Sequence, residues 1–218
     1  THVYLEKLSP DKKTKAIIAV DFTGQAAKLD EIREICKKHH LILIEDAAHA
    51  IGTKYKGIPV GNISDMTTFS FHPVKTITCG EGGAILTNNE AYYNKMKLFR
   101  THSITHEPNY MSKNPYNGYN EQIDLGYNYR MTDIQAALGI SQLAKIERFI
   151  SRRREIVHQY NEAFINMPGL AIQKEISESD TARHLYIIRI KPDMLTVCRN
   201  EIFNALMAEN IGVQVHYM

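Results

Sequence analysis

The strongest constraint on the fold is a pair of short apolar runs that flank one amphipathic segment. Residues 16–20 and 41–44 carry only aliphatic side chains, as strands covered on both faces do. Between them, Leu29, Ile32 and Cys36 recur at helical spacing among charged residues, with acids early and bases late as the helix dipole prefers. The order predicts a strand–helix–strand unit whose right-handed crossover makes both strands parallel. Ligands of such sheets gather at the carboxyl ends of the strands, where Asp46 lies.

The rest of the pattern predicts further elements and a second unit. Residues 54–62 are rich in turn formers and suggest a hairpin, and two strands bracket Lys75 closely enough to place it on a short loop. A long irregular stretch, residues 102–129, is of the kind that carries function. The boundary is expected near residue 150, which gives a large domain, residues 1–150, and the start of a smaller one, residues 151–218. The other expected elements are strands 67–71, 83–87, 184–190 and 213–216 and helices 89–101, 132–149, 152–165 and 195–209.

Charge and hydropathy narrow the function classes. The chain has 26 basic and 24 acidic side chains and a formal net charge of +2, which offers no bulk attraction for nucleic acid or an anionic membrane. Its apolar runs are too short to cross a bilayer. Three widely spaced cysteines without a CxxC pattern suggest neither a disulfide framework nor a zinc site. These features predict a cytoplasmic protein that binds neither nucleic acid nor membrane.

Asp46 and Lys75 together suggest the chemistry of pyridoxal phosphate. A carboxylate at the end of a buried strand can keep the pyridine nitrogen of that cofactor protonated, and a lysine on a nearby loop can hold its aldehyde and shuttle protons. Each residue also has an ordinary alternative: Asp46 as a helix cap, Lys75 as a solvated surface lysine. The pair is therefore interpreted as the catalytic carboxylate and amine of an enzyme that moves amino groups.

Four further features of the sequence bear on this interpretation. Ser70 follows a predicted strand and can donate to the cofactor phosphate, and His49 can lie against the ring or bond its phenolic oxygen; both are also ordinary structural residues. The turn at Glu81 lacks the helix and acidic residue of a dinucleotide site. His102 and His106 have helical ligand spacing but no third ligand, which disfavours a metal.

Three segments resemble one known family. Residues 45–52 (Glu-Asp-Ala-Ala-His-Ala-Ile-Gly), 69–83 and 125–139 are similar, in order and spacing, to signatures of the DegT/DnrJ/EryC1/StrS sugar aminotransferases. The resemblance implies a type I aminotransferase α/β fold, with a mostly parallel sheet in the large domain and a smaller C-terminal domain. It makes Lys75 the lysine that binds pyridoxal 5'-phosphate, Asp46 the partner of the pyridine nitrogen, His49 a neighbour of the ring hydroxyl and Ser70 a phosphate ligand. Asn128 would reach the phosphate in a neighbouring subunit, so a homodimer is expected.

The resemblance also implies a substrate class. The sequences of residues 103–105, 125–131 and 140–143 are most similar to those of enzymes of pseudaminic acid synthesis. These enzymes aminate C4 of a UDP-linked 4-keto-6-deoxy-N-acetyl-hexosamine, usually with glutamate as the amino donor. A sugar dehydratase of the same family carries histidine in place of the lysine; His72 lies nearby, but Lys75 argues against that reading. A non-catalytic dimerisation or binding module is the remaining alternative, because the family begins well before Thr1 and extends beyond Met218. The chain is accordingly expected to be an internal piece of such an enzyme.

Overall fold

The computed structural model of the chain describes residues 10–112, 116 and 118–216. The helices are α1 Leu29–His39, α2 Glu90–Phe99, α3 Asp133–Leu143, α4 Ile146–Phe164 and α5 Arg199–Ala208, with 3-10 turns at Phe22–Gly24, Pro108–Tyr110 and Pro192–Met194. The strands are β1 Ala16–Val20, β2 Ile42–Asp46, β3 Lys54–Tyr55, β4 Ile58–Pro59, β5 Met66–Ser70, β6 Gly83–Leu86, β7 Ile104–Thr105, β8 Glu121–Gln122, β9 Leu170–Ile172, β10 Ser179–Asp180 and β11 Ile188–Ile190.

The main sheet has the order β1-β2-β5-β6. Strands β1, β2 and β5 are parallel, whereas β6 returns antiparallel to β5. Val20 pairs with Asp46, and Asp46 pairs with Thr68, so the carboxyl ends of the three parallel strands lie side by side. The predicted strand–helix–strand unit is confirmed, and Asp46 lies at the edge where ligands of such sheets collect.

Helix α1 covers one face of this sheet and builds the core. Its Leu29, Ile32 and Cys36 are buried, as are Ala19 of β1 and Leu43 of β2. The helix has acids in its first turn and bases in its last, and it ends where His40 adopts a left-handed backbone. Burying each large aliphatic side chain stabilises the fold by about 2 kcal/mol.

The opposite face of the sheet differs from the expectation of strands covered on both sides. Ile18 and Val20 of β1 are 65% and 52% exposed, and Ile85 of β6 is 51% exposed. The described residues therefore leave the face away from α1 open at both outer strands of the sheet.

The loop after β2 packs against α4 through a glycine. Gly52 has a φ of +87°, and a Cβ at this position would collide with the side chain of the buried Ile150. Because Gly52 tolerates both the left-handed backbone and the close approach, it lets the loop that carries His49 rest directly on α4.

Gly52→Ala is expected to lower the free energy of unfolding by about 2 kcal/mol, since it combines backbone strain with overpacking. Gly57→Ala is the matched control, because Gly57 also has a positive φ, +79°, but no atom within 4 Å of an added Cβ. Urea unfolding of both variants separates the two contributions. Equal losses in the two variants would show that the contact with Ile150 is unimportant.

Several predicted boundaries need correction. The helical backbone is interrupted at Ala144 and Lys145, and α4 then runs from Ile146 to Phe164 without interruption. The proposed domain boundary near residue 150 therefore falls inside a helix. The division into residues 1–150 and 151–218 stays a prediction. The strand expected at 184–190 is reduced to Ile188–Ile190, and residues 213–216 form no strand.

The shortened strand has a clear cause. The amides of His184 and Leu185 donate to the carbonyl of Thr23, at 2.8 and 3.3 Å, so they are not available to a β-ladder. Strand β10, just before them, pairs with β3 of the predicted hairpin, which the structure confirms. This part of the chain is thereby joined to the turn and the hairpin beside the carboxyl edge of the main sheet.

Candidate active site

Asp46 ends β2 and is half-buried. Its Oδ1 accepts a hydrogen bond from the amide of Ala48 at 3.1 Å, and its carbonyl accepts one from the amide of Asp21 at 3.0 Å. The residues after Asp46 form a turn and no continuing helix, so Asp46 caps this turn, and its role toward a cofactor stays a prediction. The hydrogen bond within this turn fixes the carboxylate of Asp46 at the carboxyl end of β2.

Lys75 lies on the loop between β5 and β6. The loop is closed by hydrogen bonds from the Cys79 amide to the Phe71 carbonyl, 3.1 Å, and from the Phe71 amide to the Gly82 carbonyl, 2.8 Å. The Lys75 amide itself donates to the His72 carbonyl at 2.9 Å. Lys75 is half-buried, so it is not the fully solvated lysine of the ordinary reading.

The charges of Asp46 and Lys75 both influence the imidazole of His49. Burial, followed by the positive charge of Lys75, lowers the pKa of His49 from its ordinary value, while Asp46 opposes the shift and His216 adds to it. Asp46 and His49 lie at the end of β2 and on the turn after it, and the loop of Lys75 follows β5, the strand that pairs with β2 beside Asp46. The structure thus brings three of the predicted residues together at one edge of the sheet.

The other two predicted residues differ in position. Ser70 is half-buried at the end of β5, beside Thr68, and its Oγ accepts a long hydrogen bond from the His72 amide, 3.4 Å. Asn128 is exposed and forms an isolated β-bridge with Thr101. No contact between Asn128 and the Asp46–His49–Lys75 group occurs within the described ranges, and its role toward a second subunit stays a prediction.

A second histidine, His184, was missed by the sequence analysis. Its ring packs on that of His49 with 4.4 Å between centroids, and it is only 8% exposed. Burial, then the charges of His49 and Lys75, lower its pKa to about 3. No sequence motif predicts this contact, because the two histidines are far apart in the sequence.

A buried pair of carboxyl groups, also missed, lies beside Asp46. Asp21 and Glu45 are both fully buried. Asp21 Oδ1 accepts from the Ala27 amide at 2.9 Å, and Glu45 Oε2 accepts from the Thr67 hydroxyl at 2.8 Å. Burial, followed by the charge of Glu45 and a hydrogen bond to it, raises the pKa of Asp21 to about 9. Asp21 Oδ2 and Glu45 Oε1 are buried and have no other hydrogen-bond partner among the described residues, so a proton retained on Asp21 at neutral pH can be shared with Glu45.

Asp21→Asn is expected to stabilise the protein at neutral and alkaline pH. The folded pKa of Asp21, about 9, lies above its ordinary 3.8, so its stabilising contribution is complete below pH 3.8 and is lost as the pH rises to about 9. Asparagine still donates to Glu45 but needs no proton from solvent. The gain in the free energy of unfolding is on the order of 2 kcal/mol at pH 7, a figure that is reduced for the cost of burying the second amide N–H of asparagine. The gain increases as the pH rises.

Urea unfolding of both proteins at several pH values checks this expectation. The exposed Asp193 provides the control substitution, Asp193→Asn, which should leave the pH dependence unchanged. A constant difference between Asp21→Asn and the parent protein from about pH 5 to about pH 9 would contradict the raised pKa.

The fold and this group of residues define a class of protein that the comparisons identify. The sequence profile of the DegT/DnrJ/EryC1/StrS aminotransferase family matches residues 9–218, and the chain belongs to this family. The resemblance predicted from the three motifs is thereby confirmed, together with the α/β fold class.

Individual relatives are more specific. UDP-4-amino-4,6-dideoxy-N-acetyl-beta-L-altrosamine transaminase from Campylobacter jejuni is 41% identical over 93% of this chain and 51% of its own length. PseC from Helicobacter pylori, an aminotransferase of pseudaminic acid biosynthesis, superposes with a TM-score of 0.90 at 34% identity, covering the whole chain and 56% of PseC. A Streptococcus pneumoniae protein solved in a PLP-form gives 0.84 at 28% identity, over 99% of this chain and 57% of its own.

The chain spans about half the length of the relatives it matches.

Over residues 10–112, 116 and 118–216, no helix combines the length and apolarity needed to cross a bilayer, and no cluster of three or more His, Cys, Asp or Glu side chains could hold a metal ion.

Proposed function

We propose that the protein carrying this chain is a pyridoxal 5'-phosphate-dependent aminotransferase of nucleotide-linked keto sugars. The observation that carries the proposal is the convergence of a carboxylate, Asp46, and an amine, Lys75, on the imidazole of His49 at the carboxyl edge of the sheet. Membership of the family and the names of the relatives support the same reaction.

The donor set suits this cofactor. Asp46 supplies an anion at a half-buried position, as a pyridinium nitrogen requires. His49 accepts a hydrogen bond at Nδ1 from the Thr23 amide, 3.3 Å, which leaves the hydrogen on Nε2 to be donated to a phenolic oxygen. The hydroxyl of Ser70 follows β5 at the same edge and is suited to a phosphate oxygen. Bound pyridoxal phosphate would supply an aldehyde that links to amines and a cationic ring that withdraws electrons.

Each side chain then has a defined task. Lys75 would hold the cofactor aldehyde through Nζ and, when its amine is free, would act as the base that takes a proton from the donor carbon and as the acid that delivers one to the sugar carbon. Asp46 would hold the proton on the ring nitrogen, and His49 would orient the ring through its oxygen. Burial of this group beside His184 excludes water and strengthens these interactions.

The substrate class follows the relatives. We assign the keto carbon to C4 of a nucleotide-linked 4-keto-6-deoxy sugar and the amino donor to glutamate, because two of the relatives act in the altrosamine and pseudaminic acid pathways by name. We further propose that the protein is a cytoplasmic homodimer in which Asn128 of one protomer serves the site of its partner. The dehydratase alternative is disfavoured by Lys75.

Product analysis tests the proposal directly. The protein is incubated with cofactor, a panel of nucleotide-linked keto sugars and glutamate labelled with ¹⁵N on its amino group, and the sugar products are weighed by mass spectrometry. One labelled nitrogen should enter the favoured sugar at the expense of its keto oxygen. Failure to aminate any sugar of the panel, by protein shown to contain the cofactor, would refute the function.

A further inference from the structure

A single strained residue links the two histidines that are in ring contact. Thr23 lies in the 3-10 turn after β1 with a φ of +66°, a left-handed backbone that costs a threonine energy and is concentrated at functional sites. In this conformation its amide donates to His49 Nδ1, and its carbonyl accepts from the His184 amide at 2.8 Å. The turn therefore bonds the imidazole of His49 through the amide of Thr23 and the backbone of His184 through the carbonyl of the same residue.

His184 is fixed from the other side as well. The guanidinium of Arg153 on α4 donates to the carbonyls of Arg183 and His184, at 3.2 and 3.0 Å. Gly24, next in the turn, could not accept a side chain, because a Cβ there would lie 3.0 Å from the His184 amide nitrogen and from the His49 carbonyl oxygen. With both its amide and its carbonyl bonded, His184 holds its ring in one place against His49.

The ring of His184 does not contribute to stability as an ordinary core side chain would. Its Nδ1 is buried and has no hydrogen-bond partner among the described residues, and such a group costs stability that an apolar ring would not. An aromatic residue of similar shape would pack equally well. What the position provides is a neutral ring that packs against the His49 ring at an interplanar angle of 43°; the other neighbour of His49 in the turn is the ring of Phe22, at 5.9 Å.

We propose that His184 is a positioning residue for His49: it packs against the His49 ring so that Thr23 can hold Nδ1 as an acceptor, which keeps the hydrogen on Nε2. The inference rests on the proposed function insofar as that Nε2–H is the donor to the cofactor ring. It adds a link from the segment after β10 to the centre of the site.

The charges around the pair favour the same neutral form. Lys75 and His216 disfavour protonation of both rings, Arg153 disfavours protonation of His184, and Asp46 favours that of His49. Burial is the largest influence on each ring and lowers both pKa values. A gap beside His49 would admit water, so the loss of the His184 ring should move the pKa of His49 back toward 6.5.

Imidazole ¹⁵N NMR of the cofactor-free protein tests the inference without reference to activity. His49 signals are assigned by their loss in His49→Gln. The parent protein should show an unprotonated Nδ1 and a protonated Nε2. His184→Ala should give a mixture of tautomers and a higher titration midpoint for His49, whereas His184→Phe should restore the single tautomer. His158→Ala, at an exposed site on α4, is the control and should change nothing.

The outcomes separate this inference from the proposed function. If His184→Ala leaves the tautomer and midpoint of His49 unchanged, or if the parent protein carries the hydrogen on Nδ1, the positioning role is wrong. Should His184→Ala not fold, His184→Leu replaces it, since leucine fills the volume without a flat ring. Failure of the parent protein to bind pyridoxal phosphate would refute the function while leaving the tautomer result to stand or fall by itself.

Discussion

Lys75→Ala is expected to abolish covalent attachment of pyridoxal phosphate and to reduce the rate of amino transfer by about 1,000-fold. The substitution removes both the amine that binds the aldehyde and the base that carries the proton, and a positioned acid–base group alone accounts for about 100- to 10,000-fold. Borohydride reduction followed by peptide mass spectrometry should place the cofactor on Lys75 in the parent protein and on no residue in the variant.

Two controls sharpen the result. Lys75→Arg keeps the positive charge near His49 but cannot bind the aldehyde or give up a proton at neutral pH, so it should be as inactive as Lys75→Ala. Lys54→Ala removes an exposed lysine of the hairpin and should retain full activity. Cofactor still bound covalently in Lys75→Ala would assign the attachment to another lysine.

Asp46→Asn should lower the rate of amino transfer by about 100-fold or more, the effect expected from removal of one preorganised electrostatic contact. Asparagine keeps the oxygen that accepts from the Ala48 amide, so the turn is preserved and only the charge is lost. Without that anion the ring nitrogen of the cofactor gives up its proton more readily. The loss should appear in kcat, with a smaller change in the affinity for the sugar.

The absorption spectrum of the bound cofactor, followed against pH, provides a second measurement. In the parent protein the ring nitrogen should stay protonated over the range in which Asp46→Asn loses that proton. Asp193→Asn serves as the control for loss of an exposed carboxylate. Equal kcat values for Asp46→Asn and the parent protein would remove Asp46 from the site.

The residues that sequence analysis predicted correctly are those whose signal is local. The apolar runs and the amphipathic stripe of α1 determine a parallel pair of strands by periodicity alone, and Asp46 follows as the residue at the end of the second run. Lys75 could be placed on a loop because two strands bracket it closely. Family resemblance then supplied roles that spacing could not.

The residues that were missed depend on contacts between distant segments. His184 reads as part of a strand, and only its bonds to Thr23 show otherwise. Asp21 follows a strand and Glu45 lies within one, and neither position is unusual by itself. The raised pKa of Asp21 arises only because the sheet places the two carboxyl groups together. The break between the two helices was predicted at residues 150–151 but lies at Ala144 and Lys145, because helical periodicity continues on both sides of it.

The 3-10 turn Phe22–Gly24 also determines when the site can form. The Gly24 carbonyl accepts from the hydroxyls of Thr53 and Thr181, at 2.6 and 2.7 Å, so the turn is completed by a segment made long after it. Contacts of such wide sequence separation bear a loop-closure entropy that local ones do not. A chain emerging from the ribosome can form β1, α1 and β2 early, but the surroundings of His49 are complete only when residues 181–185 arrive. Formation of these surroundings is thus expected to depend on contacts between segments that lie far apart in the sequence, and to follow the local elements that need no such contacts.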